Sequence, residues 1–208
     1  MRLPNAAHEG HPWVIADVVS DFRLLDVWRL PAQGGPNDFA TLLEIMGRLD
    51  PVDVDSRATR ALFRLRFRLG GWFGWDHATR KLPVPGSTET TLSSRLPERL
   101  RGTATGPRLR ATSFTPLYRT DDEWAAEISN GTVHGVMHLA WIAEAEGLYR
   151  GQMGVYVKTR GRLGAMYLVV IGPFRHLIVY PVLMRHIERA WKARPASPSG
   201  SAGALVSD

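Results

Sequence analysis

The stretch from residue 114 to residue 159 most constrains the fold, because it contains four strand-like segments joined by short turn sequences. The segments cover residues 114–120, 124–129, 132–142 and 148–159. Polar residues 120–123 can turn the chain, and residues 144–147 supply a further turn. Between them, Asn130 and Gly131 form the dipeptide best suited to the positive dihedral angles of a tight hairpin. Consecutive short hairpins predict an antiparallel meander.

The long, mostly apolar segment from about residue 162 to residue 191 is typical of a helix, broken or kinked at Gly172 and Pro173. Its second part carries the apolar residues Leu177, Val182, Leu183, Ile187 and Trp191. A long C-terminal helix packed across a curved antiparallel sheet, with two shorter helices inserted near the N-terminal strands, is an α+β helix-grip fold. This is the fold class that the sequence predicts.

Residues 163–184 are also long enough to span a bilayer. Arg175 and His176 fall near the middle of this stretch, and one central arginine costs about 2.5 to 3.5 kcal/mol on insertion scales. Pro173 and Pro181 disturb a spanning helix further. We therefore expect a buried globular helix without a transmembrane segment, and peripheral contact with a membrane surface stays open.

The N-terminal half predicts strands followed by helices. Residues 13–30 are rich in β-branched and aromatic residues and predict one or two strands, and residues 31–36 break the chain. Asn37 or Asp38 can cap a helix that ends near Gly47. The apolar stripe of this helix is Phe39, Leu42, Leu43 and Met46.

A second helix should begin near Asp55 or Ser56. Its apolar stripe is Ala58, Leu62, Leu65 and Leu69, and its basic face is Arg57, Arg60, Arg64 and Arg68. That face is either solvated or binds an anion, and the sequence leaves both open. Residues 82–113 lack periodicity and predict a long connection or a mobile flap.

The chain has 208 residues, a net charge of +6 and no cysteine, which excludes disulfides, thiolate metal sites and cysteine nucleophiles. Arginine carries nearly all of the positive charge, a bias that also fits a high-GC coding genome, so we expect no nucleic-acid partner. No secretory signal is visible, which favours the cytoplasm. We divide the chain into an N-terminal extension (residues 1–12), a single domain (residues 13–193) and a tail with a disordered composition (residues 194–208).

Several segments together carry a resemblance. They are the glycine- and tryptophan-rich residues 70–76, the meander, and residues 162–167 leading into Gly172, Pro173, Phe174, Arg175 and His176. The chain resembles a bacterial family of unknown function, DUF2867, assigned to the START-type or birch-pollen-allergen-like helix-grip superfamily, which includes polyketide cyclase-like proteins. The resemblance implies a sheet wrapped around the C-terminal helix, with an internal cavity for an apolar or amphipathic ligand.

Relatives in this family are sometimes joined to a dehydrogenase-like domain, so a dehydrogenase-like protein is a possible partner. No Gly-x-Gly-x-x-Gly motif follows a predicted strand in this chain, so we expect no dinucleotide and no other cofactor. The family has no agreed catalytic residues, and the catalytic residues of this chain stay unknown.

Polar side chains of the central strands and of the C-terminal helix are the candidate ligand-binding groups. His134 and His138 share one face of their strand, which we expect to point inward toward the long helix. A strand separates them by about 13 Å, too far for both to bind one zinc ion, so we expect no metal site. The other candidates are Tyr156, Lys158, Arg175, His176 and Tyr180, together with Trp72, Trp75 and Asp76 at the rim. Packing alone explains each of them equally well.

Two functions remain open. The chain either binds a hydrophobic or amphipathic small molecule, lipid or polyketide-like, or it catalyses a cyclisation, dehydration or isomerisation of such a ligand in the same cavity. The second function would use a histidine or Asp76 as general acid or base. No Ser, His and Asp arrangement with recognisable spacing is present, so we propose no nucleophilic catalysis.

Overall fold

The computed structural model describes residues 1–49, 82–103, 105–109 and 113–194. It has an α+β fold in which six strands form one curved antiparallel sheet and a long helix follows the last strand. The strands are β1 (Arg2–Leu3), β2 (Arg23–Gly34), β3 (Thr115–Arg119), β4 (Glu123–Ser129), β5 (Val133–Ala145) and β6 (Leu148–Thr159). The helices are α1 (Ala6–Glu9), α2 (Val14–Val18), α3 (Phe39–Arg48), α4 (Gly161–Phe174) and α5 (Tyr180–Lys192).

The sheet has the order β1-β2-β6-β5-β4-β3, so the predicted meander β3 to β6 is confirmed and β2 joins it beside β6. The turn between β4 and β5 forms in a different way from the prediction, because Gly131 does not adopt a positive φ. Instead, the Asn130 side-chain oxygen accepts hydrogen bonds from the backbone amides of Thr132 and Val133, both at 2.9 Å. An Asx turn therefore closes this hairpin.

The prediction of strands over residues 13–30 is wrong for its first part, where α2 occupies Val14–Val18 and buries Ile15 and Val18. The expected break at residues 31–36 is also wrong in part, because β2 continues through Pro31 to Gly34. A register irregularity between Arg29 and Gln33 explains how the strand accommodates a proline, which cannot donate a ladder hydrogen bond.

The N-terminal residues are part of the folded structure, although the sequence analysis separates residues 1–12 as an extension. β1 pairs with β2, and His8 on α1 is completely buried. The predicted stripe of α3 is buried as expected, and Asp38 precedes the helix as predicted. The predicted helix from residue 55 and its basic face lie outside the described residues, as does the tail from residue 195.

Side chains on the two faces of the sheet form two separate cores. One face, which we call the helix side, packs against α3 and α5 through Leu139, Trp141 and Met153. The opposite face, which we call the N-terminal side, packs against residues 13–19 and against Val84, Leu92 and Leu96. Two covered faces make a three-layer arrangement around a single sheet.

The long helix runs from Gly161 to Lys192 without interruption at Gly172 and Pro173, so the expected break there is wrong. Its irregularity is a π-helical turn over Arg175–Val179, between α4 and α5. α5 buries Val182, Ile187 and Trp191 against β2 and α3, whereas α4 buries Gly164 alone among its residues. The helix is long and apolar enough to cross a membrane by length and composition, and 11% of its apolar window is buried.

Candidate functional site

The structure divides the predicted site residues between the two faces of the sheet. His134, His138, Tyr156 and Lys158 lie on the N-terminal side, so their expected orientation toward the long helix is wrong. Arg175, His176 and Tyr180 lie on the helix side, around a common carboxylate described below. Trp72, Trp75 and Asp76 lie outside the described residues. Strand alternation grouped the histidines correctly but left open which face the helix covers.

His138 is the centre of a buried hydrogen-bonded chain on the N-terminal side. Its Nε2 lies 3.1 Å from Glu123 Oε2, its Nδ1 lies 3.2 Å from His8 Nε2, and His8 Nδ1 lies 2.5 Å from Gln152 Oε1. Glu123 also accepts bonds from the Tyr118 hydroxyl and from the backbone amide of Val14. The chain therefore attaches α1 and the start of α2 to strands β4, β5 and β6.

Burial sets the protonation states of the side chains in this hydrogen-bonded chain. It lowers the pKa of His8 to about 4, with His138 adding to the effect, and it lowers the pKa of His138 against the opposing influence of Glu123. Burial alone would raise the pKa of Glu123, but the hydrogen bonds from His138, Val14 and Tyr118 outweigh it and lower that pKa. At neutral pH the hydrogen-bonded chain thus contains one ionised carboxylate, that of Glu123, and two neutral imidazoles, those of His8 and His138. His138 then donates through Nε2 and accepts through Nδ1 from His8 Nε2. His8 Nδ1 therefore carries no proton and needs a donor, so the side-chain amide of Gln152 must present its nitrogen, rather than Oε1, to His8.

Close packing supports a structural role for His8. A Cβ atom at Gly154 would lie 2.7 Å from His8 Nε2, so only glycine on β6 lets this ring lie against the strand. His8, His138 and Trp13 have 8% exposure or less and their rings pack within 6 Å of one another. A substrate has no access to these groups in this structure.

His134 anchors the long connection in the same way. Its Nε2 lies 2.8 Å from Glu127 Oε2, and Glu127 accepts further hydrogen bonds from the Thr91 hydroxyl and the Leu92 amide. Lys158 forms an ion pair of 2.5 Å with Asp21, which Arg95 of the connection also contacts at 2.6 Å. The expected long connection thus folds onto the N-terminal side through these polar contacts. The described residues contain no cluster of three or more His, Asp or Glu side chains that could hold a metal ion.

The helix side carries a different polar cluster, centred on Asp26 of β2. Asp26 is 1% exposed and forms an ion pair with Arg175, while the Tyr180 hydroxyl donates to it at 3.0 Å. His176 Nε2 and the Arg2 guanidinium lie 3.4 and 3.3 Å from its other oxygen. Burial raises the pKa of Tyr180, so its hydroxyl stays protonated. The π-helical turn brings Arg175 and His176 to this carboxylate; such turns are frequent at functional sites.

Asp26 is not among the predicted site residues, although the sequence carries a signal for it. It is the one acidic residue in the otherwise apolar run of residues 24–28, and a lone carboxylate inside a buried strand indicates a buried partner. Two donors beside it, Arg175 Nε and Trp28 Nε1, are buried and have no hydrogen-bond partner among the described residues. The Trp28 ring packs 4.7 Å from that of Tyr180, which places both donors in one cluster.

Next to this cluster α4 covers the sheet incompletely, and we call the partly exposed apolar surface between them the groove. α4 is held near Thr132 at one end, where a Cβ atom on Gly164 would clash with the Thr132 carbonyl, and Arg175 binds Asp26 at the other end. Between these points Met137 and Val155 on the helix side are half-buried. Their neighbours toward α3, Leu139 and Met153, are 0% and 1% exposed.

The helix wall of this groove is equally open, because Tyr167, Leu168 and Ile171 on the inward side of α4 are half-buried. The nearest described atoms to a Cβ at Gly135 are Ile128 Cγ2 at 3.3 Å and the Tyr156 carbonyl oxygen at 3.8 Å, both from the sheet itself. A Cβ at Gly151, by contrast, would lie 2.9 Å from Leu42 of α3. On the helix side the sheet is thus tightly covered at the α3 end and less tightly at Met137 and Val155, whereas Val133 and Val157 farther along the same strands are again buried.

A separate open cleft of about 730 Å³ lies between β2 and α5. Its charged side chains are largely paired, since Arg29 and Arg150 both contact Glu144 and Lys192 contacts Glu188. It opens broadly to solvent, and more than half of its lining residues are charged or polar, whereas the described walls of the groove are apolar. The groove below α4 is therefore the better candidate site.

The fold is thus an α+β domain whose long C-terminal helix covers one end of the sheet closely and leaves apolar surface partly exposed near Met137 and Val155. The chain matches the family described as Protein of unknown function (DUF2867) over residues 18–182, and it belongs to that family. Comparisons with curated proteins and with solved structures give no significant match.

Proposed function

We propose that the protein binds a hydrophobic or amphipathic small molecule, lipid or polyketide-like, in the groove between α4 and the helix side of the sheet. The proposal includes membership of the START-type helix-grip superfamily, whose ligands lie between sheet and C-terminal helix. A cytoplasmic location and a dehydrogenase-like partner stay predictions.

The observation that carries the proposal is the change in burial along one face of the same strands. Met137 and Val155 are half-buried, whereas Leu139 and Met153 two positions away are fully covered. Leaving apolar surface uncovered on both walls of a groove forgoes about 25 cal/mol per Å² of stabilisation, which an apolar ligand would restore. Pockets that bind small molecules have such apolar walls with a few oriented polar groups.

The polar end of the ligand would lie at the Asp26 cluster. Arg175 Nε and Trp28 Nε1 are buried donors without a partner, a state that costs about 1 to 3 kcal/mol for each group. An acceptor oxygen on the ligand, such as a carboxylate, carbonyl or hydroxyl oxygen, would satisfy them. This arrangement keeps Arg175, His176 and Tyr180 as ligand-binding candidates and assigns His134, His138, Tyr156 and Lys158 to the framework.

A second candidate function is catalysis of a cyclisation, dehydration or isomerisation of the bound ligand. The specific observation in its favour is that His176 Nε2 lies 3.4 Å from Asp26 Oδ1, which places an imidazole, the usual general acid–base group, beside a buried carboxylate next to the groove. The histidines of the N-terminal side have no such access.

Native mass spectrometry of the purified protein, followed by extraction, tests the proposal by identifying a co-purified ligand. A fluorescent fatty acid serves as the probe for titration. Gly135→Val should lower probe affinity at least tenfold, because its side chain would enter the groove. The matched control Gly131→Val, in the turn of the same hairpin where a Cβ meets nothing within 4 Å, should bind like the wild type.

Two results would contradict the groove assignment: wild-type affinity in folded Gly135→Val, or equal losses in both variants. If the Asp26 cluster binds the polar end of the ligand, Arg175→Gln should weaken the binding of a fatty-acid probe more than the binding of its alcohol analogue. If the wild-type protein converts the extracted ligand and the His176→Gln variant does not, the result would favour the catalytic function.

A further inference from the structure

The outward side of α4 and the π-helical turn carries a continuous apolar stripe, which we call the outer stripe. It consists of Leu163, Met166, Val169, Val170 and Leu177, which are 60% to 76% exposed. The intervening outward positions Ala165 and Pro173 are also exposed and apolar. Contiguous exposed apolar surface of this kind marks an interaction site rather than ordinary surface composition.

The attachment of α5 limits what this stripe can do. Tyr180, Ile187 and Trp191 are buried against the sheet and α3, so α5 cannot enter a bilayer without dismantling the core. α4 alone has 14 residues, a length of about 21 Å, which is shorter than the hydrocarbon core of about 30 Å. The helix can therefore lie on a membrane surface but cannot span it within this fold.

Charge indicates the kind of surface. From Arg160 to Ile187 the chain contains no acidic residue, and the exposed Arg162 lies at the start of the outer stripe. The whole chain carries a net charge of +6. Two copies of such a helix would bring like charges together, whereas an anionic lipid surface attracts them.

We propose that the outer stripe docks this protein onto an anionic lipid surface, with α4 lying in the interfacial plane. Leu163, Val169 and Leu177 enter the boundary between headgroups and acyl chains, and Arg162 lies among the anionic headgroups. An apolar helix face bordered by cations is the arrangement that binds membrane interfaces. The docking is independent of whether the groove on the other side of α4 holds a ligand.

Flotation of the full chain with vesicles tests this proposal. Wild-type protein should float with vesicles of phosphatidylcholine and phosphatidylglycerol in a 3:1 ratio, and at least tenfold less with pure phosphatidylcholine or in 0.5 M NaCl. The triple variant Leu163→Gln, Val169→Gln, Leu177→Gln should lose at least tenfold in partitioning. Its circular dichroism and melting temperature should match the wild type, because the replaced side chains are exposed and glutamine favours a helix.

Leu148→Gln, at an exposed apolar position in the β5–β6 hairpin, is the matched control and should float like the wild type. Arg162→Gln should weaken binding to the anionic vesicles about fivefold, the loss expected for one interfacial cation. Absence of wild-type flotation, or flotation of the folded triple variant, would overturn the proposal. So would light scattering that shows a wild-type dimer, a monomeric triple variant and no vesicle binding by either, because the stripe would then join two copies of the chain.

Discussion

Replacing His8 with glutamine should reduce the acid sensitivity of the fold by the equivalent of one proton. The pKa of His8 falls from 6.5 in the unfolded chain to about 4 in the folded protein, mainly through burial. Between these values the unfolded chain carries a proton on His8 that the folded protein lacks. The contribution of His8 to the free energy of unfolding is therefore complete above pH 6.5, falls as the pH decreases toward 4, and is fully lost below pH 4.

The magnitude follows from the shift of the pKa. One pKa unit corresponds to about 1.4 kcal/mol, so lowering the pKa to about 4 makes His8 responsible for a loss of about 3 kcal/mol between pH 6.5 and pH 4. The lowered pKa of His138 acts in the same direction over the same range, so the wild-type slope exceeds that of one proton, whereas the lowered pKa of Glu123 adds to the loss only below about pH 4.5. His8→Gln should lower this slope by about 1.4 kcal/mol per pH unit.

Urea unfolding at half-unit steps from pH 7 to pH 4 measures the free energy of unfolding for each variant. Tyr118→Phe is the matched control, because it removes a hydrogen bond to Glu123 without removing a histidine. It should cost about 1 kcal/mol and keep the wild-type slope between pH 7 and pH 5, above the range in which Glu123 takes up a proton. Equal slopes in His8→Gln and Tyr118→Phe would refute the reasoning, since His8 would then not be held neutral by the fold.

Three further substitutions test other parts of the structure, the first two by urea unfolding or thermal melting and the third by limited proteolysis. Gly151→Val should lower the free energy of unfolding by about 1 to 3 kcal/mol, because its Cβ would overlap Leu42, and a change under 0.5 kcal/mol would show that α3 packs less tightly than described. Asp26→Ala should cost about 3 kcal/mol or more, since it leaves the Arg175 guanidinium without its buried partner, and retention of wild-type stability would contradict the central role of this carboxylate. Glu127→Gln should increase proteolysis of residues 82–103 under native conditions, because the substitution weakens the acceptor that holds this connection, and unchanged cleavage would indicate other anchors.

The sequence predicts the strands of the meander well because each carries its own alternation and its own turn chemistry. Residues 148–159 were predicted as a strand and form β6 with the same bounds. The apolar stripe of α3 was equally readable, since Phe39, Leu42, Leu43 and Met46 recur at helical spacing and are all buried. In both cases the signal lies within one element.

The orientation of the candidate site was not predictable for the opposite reason, because it depends on contacts between distant segments. Alternation groups His134 with His138, but both faces of this sheet are covered, so burial of a face does not identify the helix side. The partner of His138 is His8, which is 130 residues away in a short helix that local pattern does not predict. Asp26 and Arg175 are likewise 149 residues apart.

The π-helical turn at Arg175–Val179 sets the rotational phase between the two halves of the long helix. A π turn contains one residue more than an α-helical turn, and each residue rotates a helix by about 100°. Deleting one residue from this turn would leave Tyr180, Ile187 and Trp191 anchored in the core and would rotate α4 by that angle about its own axis. Part of the stripe that now faces outward would then point at the sheet. A single inserted or deleted codon at this point therefore changes which apolar side of α4 faces the sheet and which side faces the surroundings.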